Sequence, residues 1–212
     1  NEKHNEANGE NNNDGNNDNF SWNCGCEGET EDEGINILRH RQIKNALSIL
    51  MVSQGVPMVL MGDEMGRTKY GNNNTYCHDN GLNWMNWDLI DKNSDIYYFA
   101  KHIINFRRNH PVLRNRDHFR NSDYKNTGYP DISFHGVHAW NADWSKSSRV
   151  LAIMLDGGHA KNGYTTDDTI YVAINMHWEA LPFEIPQLPE NKNWHVSVNT
   201  DMPPPHDFHQ IN

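Results

Sequence analysis

A six-residue apolar run, Val56-Pro57-Met58-Val59-Leu60-Met61, stands between Gly55 and Gly62-Asp63-Glu64, and it constrains the fold more tightly than any other stretch. A run this short, with Pro near its start and Gly at its end, reads as a strand buried on both faces, the habit of parallel sheets. What precedes it is helical. Thr30-Glu31-Asp32-Glu33 has the hydroxyl-x-x-carboxylate spacing of a capping box, Ile35, Leu38, Ala46, Leu47 and Leu50 recur at helical spacing, and Gly55 suits the stop. A helix feeding a buried strand is a β/α unit, so Asp63 and Glu64 are expected at the carboxyl end of that strand, where such folds assemble their sites.

Beyond the run, residues 67–87 return to Asn, Gly and aromatics, as in Tyr70-Gly71-Asn72-Asn73-Asn74-Thr75-Tyr76, and read as a long polar loop. Ser94-Asp95 then predicts a helix start, with Ile96, Phe99, Ala100, Ile103 and Phe106 on one stripe through about Arg108 and Pro111 ending it. After Pro111 the period changes. Asp131–His135, Arg149–Leu155, Thr169–Met176, Leu181–Ile185 and Trp194–Val198 are short β-branched or aromatic runs, which predict five strands of an antiparallel sandwich and a boundary around residues 110–130. Residues 1–30 are so rich in Asn, Asp, Glu and Gly, with only Phe20 and Trp22 as large groups to bury, that composition favours a disordered tail. A loop wrapping a polar ligand is the competing reading, since Asn offers donor and acceptor together.

A formal net charge of −10 argues against binding nucleic acid or an anionic membrane, which calls for a basic surface. No apolar stretch approaches the ~20 residues of a spanning helix. Three cysteines, Cys24, Cys26 and Cys77, cannot all pair, which suits a reducing compartment. The chain opens on Asn without a leader, so it is expected to be part of a longer protein.

Asp63 and Glu64 are adjacent and would point to opposite faces of a strand, whereas a retaining glycosidase needs two carboxyls roughly 5–5.5 Å apart, brought from different segments. They are therefore read as supporting groups, and no catalytic residue is assigned. The thirteen His form no H-E-x-x-H, and Cys24-x-Cys26 is too tight for a zinc knuckle, so neither metal nor cofactor is expected. No phosphate-cradling glycine loop and no G-x-S-x-G turn occurs. Trp140-Asn141-Ala142-Asp143-Trp144 could present flat rings to a sugar, but core packing is the expected role.

Three segments together, Lys3-His4-Asn5-Glu6-Ala7-Asn8-Gly9-Glu10, Gly55-Val56-Pro57 through Gly62-Asp63-Glu64, and Gly71-Asn72-Asn73-Asn74-Thr75-Tyr76-Cys77, closely resemble isoamylase-type debranching enzymes of the α-amylase superfamily. Ala139-Trp140-Asn141-Ala142-Asp143-Trp144 looks most like plant plastid forms, while Met65 and Cys26 depart from aromatic residues usual in the family. The resemblance implies the end of a (β/α)8 barrel over residues 1–110 and an antiparallel β-sandwich domain over residues 111–212. It implies hydrolysis of α-1,6 branch points in amylopectin, glycogen or limit dextrin, with the catalytic carboxylates upstream of this chain. Plastid location and a homo- or hetero-oligomeric isoamylase are further implications. A catalytically silent glucan-binding or scaffolding subunit is the alternative. By the same resemblance, His4, Asn5, Asp63, Glu64, Arg67, Asn72, Asn73, Asn74 and Tyr76 are expected on the substrate side.

Overall fold

The computed structural model describes residues 2–160 and 166–209, which divide into two compact units. One comprises Asn1–Met51, Pro57–Ile104 and Ser197–Asn212, the other Val52–Val56 and Asn105–Val196.

In the first unit, helix α1 spans Glu33–Val52. Its start departs from the capping box. The Thr30 hydroxyl accepts the Asp32 backbone N–H at 3.2 Å, and the Asp32 carboxylate accepts the Ile35 N–H at 3.0 Å, so Asp32 covers the open end and the residue three further on is Ile35, not Glu. A short helix α2, Leu89–Lys92, precedes α3, Ser94–Asn109. The predicted stripe of α3 is buried at Ile96, Phe99, Ala100 and Ile103. Burying each large apolar side chain is worth about 1.5–3 kcal/mol, so the stripe explains why α3 holds its place. Asp95 in the first turn of α3 takes the ring of His40 on α1 at 2.8 Å. Lys44 on α1 is almost fully buried, and its ammonium reaches the Asp207 carboxylate at 3.1 Å and the Met202 carbonyl at 3.0 Å.

The expected strand after α1 is corrected. Residues 56–60 have no regular secondary structure, Met61 begins a turn, and the run pairs with no strand among the described residues; Val56 and Met58 are 95% and 88% exposed. An extended segment becomes a strand only when a neighbour accepts and donates its backbone hydrogen bonds, and this run has none beside it. The described residues therefore contain no barrel strand.

Among the described residues the second unit carries one antiparallel sheet of order β1-β2-β3, formed by Ile132–His135, Val150–Leu155 and Ile170–Asn175. Ile132 faces Leu155 and Leu155 faces Ile170 across the ladders, and these residues join Val112, Leu113 and Ala160 in the apolar core. Here the sandwich expectation is corrected. Leu181–Ile185 and Trp194–Val198 form no strand; only Val198 makes an isolated bridge, to Phe208. Pro182 and Pro186 lack the N–H that a ladder needs, which accounts for the first of these segments. Trp140 and Trp144 also depart from their expected core role, being 52% and 70% exposed.

Candidate functional site

The amino-terminal loop is not a free tail. Asn5 is fully buried: its side-chain amide donates to the Asp14 carbonyl at 3.0 Å and to Asn73 Oδ1 at 2.8 Å, while its own Oδ1 accepts the Asn73 N–H at 3.0 Å. Asn72 donates to Asn8 Oδ1 at 2.8 Å, and its Oδ1 accepts the Asn74 N–H at 2.9 Å. Asn8 and Asn74 both donate to Asp14 Oδ2, at 2.6 and 2.7 Å, and these two bonds hold the Asp14 carboxyl below the usual carboxylate range. Residues 3–16 and 71–74 are thus tied into one knot by amides that pair with each other.

Two glycines let the segments approach. At Gly15, with φ +72°, an added Cβ would lie 2.3 Å from Asn73 Oδ1; at Gly71, with φ +83°, it would lie 2.5 Å from the His4 ring. Polar composition suggested disorder because a polar tract has no core to bury, but side-chain amides carry the donors and acceptors to satisfy one another, and here they do.

The structure brings the nine expected residues to different roles. Asn5, Asn72 and Asn74 spend their amides inside the knot, and Asn73 adds a bond to the Asn16 carbonyl at 2.9 Å. His4 is anchored through its backbone N–H to the Gly71 carbonyl at 2.9 Å, and its half-exposed ring lies 3.5 Å from Glu27. Arg67 is a clamp: its guanidinium donates to the carbonyls of Met61, Leu82 and Asn83 at 3.2, 3.3 and 2.6 Å. Asp63 and Glu64 lie in a single 3-10 turn, Asp63–Met65, rather than at a strand end. Glu64 accepts the Gly62 N–H at 2.8 Å, while partial burial and the adjacent Glu64 charge raise the Asp63 carboxyl above its ordinary range. Tyr76 points outward, 85% exposed, one residue after the buried Thr75.

Sequence reading passed over Asp14, which stands at the centre of the knot; its one available signal was a lone acid set among Asn donors at 11–13 and 16–17. Phe20 and Trp22, the large groups of the amino-terminal tract, are exposed, as are Tyr70, Trp84 and Trp87. The first unit thus combines amides committed to one another with exposed aromatic side chains. Such a surface can bind a sugar chain by stacking but offers little free acid–base chemistry.

Elsewhere, donor atoms of His110, Asp167 and Asp168 lie within 4.8 Å of one another. Asp167 is already committed there, accepting the Val112 N–H at 2.8 Å, the Asp168 N–H at 2.8 Å and the His110 ring at 3.0 Å. No helix among the described residues is long and apolar enough to cross a membrane.

Comparison with known proteins bears on the whole chain. Residues 133–212 match the family described as isoamylase 1-3, C-terminal. A "Glycogen operon protein GlgX homolog" from Mycobacterium bovis is 41% identical over 96% of this chain and 30% of its own length. "Isoamylase 3, chloroplastic" from rice, Oryza sativa subsp. japonica, is 41% identical over 98% of this chain and 24% of its own. The chain therefore spans under a third of the length of these relatives. Among solved structures, a mutant pullulanase from Paenibacillus barengoltzii, complexed with maltotetraose, superposes with a TM-score of 0.52 over 75% of this chain and 21% of its own, at 22% identity, a likeness of fold.

Proposed function

We propose, from the premise that residues 133–212 belong to the isoamylase 1-3 carboxyl-terminal family and that the chain is isoamylase-type in sequence over nearly its whole length, that it is the substrate-side portion of an α-1,6-glucan debranching hydrolase. In this reading residues 1–110 finish a catalytic domain whose reacting carboxylates lie outside this chain, and residues 111–212 are its β domain. The substrate is a branched α-glucan of the amylopectin, glycogen or limit-dextrin type. Plastid residence follows the chloroplastic relative and oligomeric assembly follows the family resemblance; both are part of the proposal.

The observation that carries it is Tyr76, 85% exposed and two residues beyond segment 72–74, whose amides are spent in the knot. An exposed aromatic face can stack against a sugar ring, so binding is its natural task. The commitment of the knot's amides to one another also supports the second reading, a catalytically silent glucan-binding subunit, because amides serve neither as acid nor as base there.

The test is retention of the chain in an amylopectin affinity gel, together with release of reducing ends. Retention that Tyr76→Ala weakens at least several-fold, without released ends, is the expected result. Release of reducing ends by the chain alone would overturn the placement of catalysis outside it, and undiminished retention of Tyr76→Ala would remove Tyr76 from the binding surface.

A further inference from the structure

Five aromatic residues of the second unit follow one another in a chain of ring contacts. Tyr129 lies parallel to Trp140 within 4°, with centroids 6.2 Å apart; Trp140 meets the His135 ring edge-on at 4.9 Å; His135 contacts Tyr171 at 5.8 Å; and Tyr171 meets Trp194 edge-on at 5.9 Å. Three of these rings spend their polar tips on one extended segment. The Tyr129 hydroxyl donates to the Gln187 carbonyl at 2.8 Å, the Tyr171 hydroxyl to the Glu184 carbonyl at 3.4 Å, and the Trp194 indole N–H to the Pro186 carbonyl at 2.8 Å. These three pin residues 184–187 in place and have a structural reason to be there.

Trp140 has none of that kind. Its indole makes ring contacts only, it is half exposed, and its backbone sits at φ +64°, a left-handed conformation that is unfavourable for a residue bearing a Cβ. The turn enforces that geometry: Gly136 donates to the Asn141 carbonyl at 2.8 Å, and the Trp140 N–H is held by His135 Nδ1 at 2.7 Å. A strained residue that the surroundings over-determine, with half of its indole left exposed, is suited to being held for a ligand. Polar groups stand beside it. Glu184 accepts the Ala139 N–H at 3.2 Å and lies 3.5 Å from the His138 ring, and both side chains are mostly exposed. A flat indole flanked by an exposed carboxylate and imidazole offers a sugar ring one face to stack on and partners for its hydroxyls.

We infer that Trp140, supported by Tyr129 and flanked by His138 and Glu184, is a second glucan-binding platform, on the β domain and separate from the Tyr76 surface. It rests on the proposed glucan-binding reading for its ligand class, a linear α-glucan segment. The platform holds a chain and takes no part in bond cleavage.

The test uses the full 212-residue chain and maltoheptaose. The seven tryptophan indoles give separate proton–nitrogen signals, and Trp140→Phe identifies the one from Trp140. The expected result is that maltoheptaose shifts that signal, and that Trp140→Ala weakens the fitted Kd of the shift at neighbouring signals at least fivefold, while Trp140→Phe weakens it less. An unmoved Trp140 signal at millimolar maltoheptaose would overturn the platform, even where the remaining signals preserve their native dispersion. Because Tyr76→Ala leaves this signal's response in place if the platform is right, failure here is distinct from failure of the Tyr76 surface in the affinity gel.

Discussion

His135 shows how a single residue ties chemistry to shape. It is fully buried, its Nδ1 accepts the Trp140 N–H at 2.7 Å and its Nε2 meets the Ser133 hydroxyl at 2.9 Å, a pattern that fits the neutral ring with the proton on Nε2. Burial lowers its pKa from the ordinary imidazole value, because the charged ring would lose its water. The folded state therefore binds this proton less readily than the unfolded chain. The stabilising contribution is complete above the unfolded value of about 6.5 and is lost as pH falls through 6.5 toward the lower folded value. The expected outcome is a lower urea midpoint at pH 5.5 than at pH 7.5, with His135→Gln flattening that difference; an equal difference in the variant would sink the assignment. Nothing in the sequence around Ser133-Phe134-His135 marks this ring as buried, since its partners are set by the turn at 136–141.

At the scale of elements, the apolar stripe of α3 was legible because helical period alone puts Ile96, Phe99, Ala100 and Ile103 on one face, and all four are buried. Lys44 on α1 was not. A lysine among charged neighbours reads as solvated, yet its partner, Asp207, comes from 163 residues further along the chain. Lys44→Met leaves the Asp207 carboxylate buried without its cation, and removing one member of such a pair costs about 3–5 kcal/mol. Chemical denaturation of the single variant should show that loss, and the double variant Lys44→Met/Asp207→Leu should recover most of it. A double variant no more stable than the single one would mean that the pair is not what holds these segments. The sheet behaves likewise: β1, β2 and β3 fall on runs chosen by their β-branched and aromatic content, while the Leu181–Ile185 run met the same criteria and failed on Pro182 within it and Pro186 after it.

For the whole molecule, the exposed run 56–61 governs behaviour in solution. Val56, Met58, Leu60 and Met61 are all exposed, and an exposed apolar patch favours association. The isolated chain is expected to self-associate with rising concentration, and Met58→Lys to reduce this; light scattering that stays monomeric to high concentration would contradict it. The run also divides what each level of description determined. Local pattern was enough to identify the two long helices, three of the strands and the isoamylase resemblance, because period, capping groups and short motifs are properties of neighbouring residues. Local pattern could not say whether an apolar run has a strand beside it, whether asparagines 60 and more residues apart would satisfy one another, or that Trp140 would be held outward by a turn. Those outcomes depend on which distant groups are brought into hydrogen-bonding range, and only the tertiary structure decides that.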